Sequence, residues 1–166
     1  MITLVLGGAR SGKSAVAEVL VADSGGPVTY VATAAVGDDP DFLTRVEQHR
    51  SRRPIGWTTI ECGIGLVEAL TGLEGAVLID SLGAWLAGWP DFKVDTDPLL
   101  ECLDQCPGDV VIVSDEVGMG VHPSTEVGRA YRDALGAMNQ LVAARADTVF
   151  LVVAGQVLTL KTRADE

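Results

Sequence analysis

Short aliphatic runs alternate along the chain with apolar residues at helical spacing. Residues 2–6, 28–33, 76–80, 110–114 and 148–153 each read as a buried strand. Residues 157–160 follow closely enough to add a hairpin partner to the last of them. The runs are continuous rather than alternating, which is the pattern of parallel strands with helices on both faces. Helical patterns fall at residues 14–22, 41–53, 64–70, 81–87, 98–105 and 125–146. In the longest, Val127, Tyr131, Leu135, Met138 and Val142 form one stripe that would face a core. Strand and helix in alternation predict an α/β doubly wound sheet, with ligands at the carboxyl ends of the strands. Residues 88–98, containing Pro90 and Pro98, are expected to form a flexible loop. There is no internal repeat and no low-complexity tract.

Composition narrows this picture. The length of 166 residues suits a single domain spanning residues 1–166. Hydrophobic residues make up 48 % and aromatics only 5 %, so the core must be aliphatic. With 12 Lys and Arg against 23 Asp and Glu, the net charge of −11 argues against broad contact with nucleic acid or an anionic membrane. A nucleotide needs only a local cradle and is not excluded. No apolar run approaches the ~18–20 residues of a membrane span. The first apolar stretch lacks a basic flank and runs into glycines, so no signal peptide is expected. Cys62, Cys102 and Cys106 are odd in number and lack a C-x-x-C spacing. They read as free thiols in a reducing cytoplasm.

The first strand runs into Gly7-Gly8-Ala9-Arg10-Ser11-Gly12-Lys13-Ser14, a full match to G-x-x-x-x-G-K-[ST] between a strand and a helix. Glycines let backbone N–H groups turn toward phosphate oxygens. Lys13 would reach the outer phosphates, Ser14 would place its hydroxyl on Mg²⁺, and the following helix would point its positive end at the anion. A glycine-rich turn that matches by chance is the alternative. The metal needs an acidic partner at a strand end. Asp80 fits, and Asp115-Glu116 is the rival; either could instead cap a following helix.

His49 lies where an apolar row (Phe42, Val46) meets Arg45, Arg50, Arg52 and Arg53. A solvated basic face is one reading. The other is a phosphate-facing surface around a nucleophilic imidazole, with arginines that neutralise a leaving pyrophosphate. His122 precedes a proline in a loop and reads as structural.

Several blocks then resemble one family. Besides the glycine-rich turn they are Tyr30-Val31-Ala32-Thr33-Ala34 and Arg45-Val46-x-x-His49-Arg50-x-x-Arg53-Pro54-x-x-Trp57-x-Thr59-x-Glu61. Further along come Asp115-Glu116-Val117-Gly118-Met119-Gly120-Val121-x-Pro123 and Gly128-Arg129-x-Tyr131-Arg132-Asp133-x-x-Gly136-x-x-Asn139-Gln140. Together they resemble the bifunctional adenosylcobinamide kinase / adenosylcobinamide-phosphate guanylyltransferases of cobalamin biosynthesis, over nearly the whole chain. The resemblance implies a RecA-like P-loop NTPase core assembled as a homotrimer. It also implies phosphorylation of adenosylcobinamide with ATP or GTP and transfer of GMP from GTP through a GMP–histidine intermediate. The matching histidine is His49, and Lys13 serves the phosphates. Implied nucleotide contacts are Gly7, Gly8, Ala9, Arg10, Ser11, Gly12, Lys13, Ser14, Thr33, Ala34, Ala35, Arg50, Ser51, Arg52, Arg53, Glu61 and Asp80, with Ser14 and Asp80 on Mg²⁺. The partners would be a corrinoid and nucleotides. Departures fall at Asp115, where the family often has Asn, at Asp80, a position that can hold Glu, and in a short segment over residues 88–97. Two other readings stay open: a P-loop kinase for another small metabolite, and a nucleotide-gated binding module without chemistry.

Overall fold

In the computed structural model, residues 1–34, 54 and 56–162 are described. Seven strands form one sheet. They are β1 (Ile2–Gly7), β2 (Val28–Ala32), β3 (Thr58–Glu61), β4 (Ala76–Asp80), β5 (Val110–Asp115), β6 (Thr148–Val153) and β7 (Gln156–Lys161). Their order across the sheet is β3-β2-β4-β5-β1-β6-β7. All pairs are parallel except β6 with β7, the expected hairpin. The described helices are α1 (Lys13–Ala22), α2 (Leu66–Leu70), α3 (Leu82–Ala87), α4 (Asp97–Gln105) and α5 (Glu126–Arg145). The helix expected over residues 41–53 lies outside the described residues. No described helix is long and apolar enough to cross a membrane.

Right-handed crossovers decide which face each helix covers. The chain runs one way along the sheet from β1 to β2, so α1 covers one face. It runs the other way from β3 to β4, β4 to β5 and β5 to β6, so α2 to α5 cover the opposite face. The pleat divides each apolar run accordingly. Leu4, Val77, Ile79, Val110 and Ile112 join Leu66, Trp85, Leu99, Leu135 and Val142 in one core. Val5, Ala76, Leu78, Val111 and Val113 join Ala17 and Val21 of α1 in the other. Two buried faces explain why these strands read as unbroken hydrophobic runs.

Two expectations needed correction, and one strand was not expected. Strand β3 has the sequence Thr-Thr-Ile-Glu and is mostly exposed at the sheet edge, so it carries no apolar run to read. Residues 88–98 are packed rather than loose. Pro90–Phe92 forms a 3₁₀ turn. Trp89, Phe92 and Val94 lie against the core, and the Phe92 ring meets Tyr131 edge to face at 5.2 Å. Val127 is 66 % exposed, whereas Leu135, Met138 and Val142 are buried. At about 1.5 Å per residue, α5 is about 30 Å long against about 20 Å for a six-residue strand. Its first turn therefore overhangs the carboxyl edge of the sheet.

The two ends of that stripe should differ in cost. Leu135→Ala removes a fully buried side chain and should destabilise by ~2–5 kcal/mol. Val127→Ala should stay within ~0.5 kcal/mol. Urea unfolding of the two variants checks the contrast.

Candidate nucleotide-binding site

The carboxyl edge of the sheet gathers most of the described candidates. In register, Gly7 pairs with Asp115, Asp80 with Val113, Ala32 with Asp80, and Ala32 with Glu61. At ~4.8 Å between strands, Asp115 is next to β1, Asp80 is about 10 Å along the edge, and Glu61 is about 19 Å along it. Glu61 is exposed. Ala35, His49, Arg50, Ser51, Arg52 and Arg53 lie outside the described residues.

The Gly7–Ser14 turn is built around backbone groups. Gly12 caps α1 at φ 95°, a left-handed conformation that favours glycine, and supplies no side-chain cap. Arg10 is left-handed too, at φ 57°. The Ser11 N–H donates to Gly8 O at 3.2 Å and the Lys13 N–H to Ser11 Oγ at 3.3 Å. Ser14 sits in the first turn of α1, which carries no acidic residue to oppose an anion at its positive end. The β6–β7 hairpin braces the turn from outside: the Gly155 N–H donates to Ser11 O at 2.8 Å.

Lys13 folds back across the turn. Its Nζ donates to Gly8 O at 3.2 Å and forms an ion pair with Asp115 Oδ1 at 2.8 Å. Asp115 is therefore the acidic residue in contact with Lys13. Its neighbour Glu116 turns away, and its carboxylate accepts from Gly118 N–H at 2.7 Å and Met119 N–H at 3.2 Å. Asp80 does not cap α3. Ser81 does, accepting from Ala84 N–H at 3.3 Å, while Asp80 Oδ2 accepts from the Tyr30 hydroxyl at 2.8 Å. Thr33 is buried, and its hydroxyl links the ends of β2 and β4. It donates to Ser81 O at 2.6 Å and accepts from Ser81 N–H at 2.9 Å. Ala34 follows in a bend.

Residues not singled out as contacts form a wall beside Asp115. Asn139 holds the end of β5: its Nδ2 donates to Asp115 O at 3.0 Å, and its Oδ1 accepts from Ser114 Oγ at 2.6 Å. Tyr131 and Asn139 stand four residues either side of buried Leu135, so a polar residue within an apolar row was the available signal. Gly83 opens α3 to this cluster. A Cβ there would fall 2.7 Å from the Tyr131 hydroxyl and 2.8 Å from Asp115 Oδ2. Burial and, second, the charge of Asp115 push the Tyr131 phenol up to about 12. His122 lies on an exposed loop with Nδ1 2.9 Å from Arg132 Nη1. Cys62, Cys102 and Cys106 are free thiols, each raised above the usual range chiefly by burial.

Among the described residues no three His, Cys, Asp or Glu side chains converge into a metal cage. The hydroxyl and carboxylates at this edge are hard oxygen donors. They fit Mg²⁺ when phosphate and water supply the other ligands.

A mostly parallel sheet of this order, with a glycine-rich turn leading from an inner strand into a helix, defines a P-loop ATPase fold. The flagellar accessory protein FlaH of Methanocaldococcus jannaschii superposes with a TM-score of 0.54 at 12 % identity, covering 97 % of this chain and 78 % of that one. An ATPase of a bacterial type III secretion system gives 0.57 at 9 % identity, covering 98 % and 57 %. The family model for cobinamide kinase / cobinamide phosphate guanyltransferase matches residues 3–160. The chain is similar to the bifunctional adenosylcobalamin biosynthesis protein CobP of Pseudomonas aeruginosa, at 41 % identity over 97 % of this chain and 98 % of that protein. It is 36 % identical to the bifunctional adenosylcobalamin biosynthesis protein CobU of Escherichia coli, over 93 % and 97 %. The chain belongs to the cobinamide kinase / cobinamide phosphate guanyltransferase family.

Tyr131 offers a pH test of this wall. Its folded value of about 12 lies above the ordinary 10.0. The folded state therefore keeps its proton where the unfolded chain has lost it. This contribution to stability is complete below pH ~10 and is lost as pH rises through ~12. Thermal melting of the wild type should fall more steeply across that window than melting of Tyr131→Phe. Tyrosinate absorbance should show one late-titrating phenol fewer in Tyr131→Phe than in the wild type.

Proposed function

We propose that this chain carries out both reactions of its family: phosphorylation of the aminopropanol hydroxyl of adenosylcobinamide, and guanylyl transfer to the resulting phosphate. The observation that carries the kinase half is the Gly7–Ser14 turn with Lys13 beside it, at the carboxyl end of β1. Backbone N–H groups of that turn and the start of α1 hold the outer phosphates of ATP or GTP. Lys13 neutralises them, and the chemistry rests on positioning and charge rather than on a covalent protein group. Ser14 and Asp80 would hold Mg²⁺, which neutralises charge on the transferring phosphoryl group when bound.

The guanylyl half needs a nucleophile that can leave again. His49 supplies it. Its imidazole attacks the α-phosphorus of GTP, the bond to the bridging oxygen breaks, and pyrophosphate departs. An oxygen of cobinamide phosphate then attacks the same phosphorus, and the P–N bond breaks to release adenosyl-GDP-cobinamide. Arg50, Arg52 and Arg53 neutralise the leaving pyrophosphate. Glu61, about 19 Å along the edge from Gly7 at ordinary strand spacing, accepts from the guanine N–H edge. The Thr33 hydroxyl is committed to Ser81, so any contribution from that segment comes through the backbone and Ala34. The family resemblance supports a homotrimer working in the cytoplasm. The wholly exposed edge strand β7, with Val157, Leu158 and Leu160 outward, offers surface for self-association.

The two halves make separable demands. Lys13→Ala should lower corrinoid phosphorylation by ~10²-fold or more. His49→Asn should abolish covalent labelling by [α-³²P]GTP and guanylyl transfer while sparing most of the kinase. A labelled His49→Asn protein would put the nucleophile elsewhere. Loss of both activities with the circular dichroism spectrum intact would make His49 shared machinery.

A further inference from the structure

We infer that the segment from Glu116 to Val127 is the surface on which the corrin ring of the acceptor rests, through Met119, Val121 and Val127. The inference rests on the reading of the chain as a cobinamide kinase with its triphosphate in the Gly7–Ser14 turn. Met119 is 73 % exposed, Val121 96 % and Val127 66 %. Apolar side chains scattered singly over a surface need no explanation, but three within one pinned segment do. The Glu116 carboxylate accepts from the Gly118 N–H at 2.7 Å and the Met119 N–H at 3.2 Å. Arg129 Nη1 donates to Pro123 O at 3.0 Å, and Arg132 Nη1 lies 2.9 Å from His122 Nδ1. Thr125 Oγ1 accepts from the Gly128 N–H at 3.1 Å. The backbone is thus tied down along the segment, while the apolar side chains between the ties are held in water. A ligand that covers them would gain the free energy of removing that surface from water.

Place and chemistry select the occupant. The segment continues directly from β5, whose last residue, Asp115, meets Lys13 Nζ at 2.8 Å. Met119 follows four residues on, so its Cα lies within about 14 Å of that of Asp115. The acceptor hydroxyl must reach the outermost phosphate beside Lys13. In cobinamide, the acceptor named for this family, that hydroxyl ends a short amide-linked arm. The ring at the other end of the arm must therefore lie against the carboxyl edge of the sheet. A corrin is a conjugated macrocycle edged with methyl groups and neutral amides, so it needs apolar cover rather than countercharge. Residues 117–125 contain no Asp, Glu, Lys or Arg, in a chain of net charge −11. Gly118 and Gly120 flank Met119 and, lacking side chains, let a broad flat ligand approach the backbone. Glu116 acts here as a positioning residue, because it holds the turn that presents Met119.

The experiment is steady-state phosphorylation of adenosylcobinamide by the full-length wild type, Met119→Glu, Val121→Glu, Val127→Glu and Leu141→Glu, with corrinoid and Mg-ATP varied in turn. Leu141 is the control, an exposed apolar residue near the other end of α5. Each of the first three variants should raise the KM for corrinoid by about tenfold or more, since each sets a charge against an apolar ring. Their KM for ATP should stay within about twofold of the wild type's. Leu141→Glu should leave both values unchanged. Light scattering after size exclusion should give one mass for all five proteins. An unchanged corrinoid KM in the three variants, an equal rise in the KM for ATP, or an equal effect of Leu141→Glu overturns the assignment. A change of oligomeric mass that accompanies the loss also overturns it, and gives the surface to a second copy of the chain. Failure of the wild type to phosphorylate adenosylcobinamide overturns the function proposed above, and this surface with it.

Discussion

The parallel register of β1 on β5 is the constraint on which the rest of the edge depends. Gly7 lies opposite Asp115, so the strand that leads into the glycine-rich turn ends beside the strand that carries the acidic partner of Lys13. Lys13 bridges the two. A slip of one residue would invert the faces of β1, and would send Leu4 toward α1 and Val5 toward the larger core. The aliphatic packing that holds the register therefore also sets the geometry of the charges. Stability and chemistry share one cause here, which is why the edge needs few side chains of its own to stay in place.

The supporting contacts follow the same logic. Thr33 ties β2 to the end of β4, Asn139 ties the end of β5 to α5, and Gly155 ties the hairpin to Ser11. Each pins a strand end through a backbone group. Side chains at the edge are left for the ligand or for one another. A net charge of −11 makes this local arrangement matter, because the protein as a whole repels phosphate. In the proposed function, attraction comes from backbone N–H groups, the start of α1, Lys13 and the arginines of the Arg45–Arg53 stretch of sequence.

Much of this was legible in the sequence. Five strands declared themselves because helices on both faces make them continuously apolar, and the glycine-rich turn has a spacing that few other structures need. The carboxyl-edge location followed from strand–helix alternation alone. What escaped has physical reasons. The exposed edge strand β3 lacks an apolar run. Residues 88–98 carry loop-forming prolines, yet Trp89 and Phe92 give them apolar area to bury. Val127 continues a helical stripe past the point where the sheet ends. Which carboxylate meets Lys13 depends on which strand neighbours β1. That order is a property of the crossovers and not of either local sequence. The sequence reading favoured Asp80 for the metal and made no choice for Lys13; the strand order puts Asp115 against the lysine.

The most direct measurement is a crystal structure of the full chain with Mg²⁺ and a GTP analogue that cannot be cleaved. The outer phosphates should lie within the Gly7–Ser14 turn, with Lys13 Nζ on a phosphate oxygen and withdrawn from Asp115. A triphosphate bound outside that turn, or a Lys13–Asp115 pair unchanged by its presence, would contradict the account.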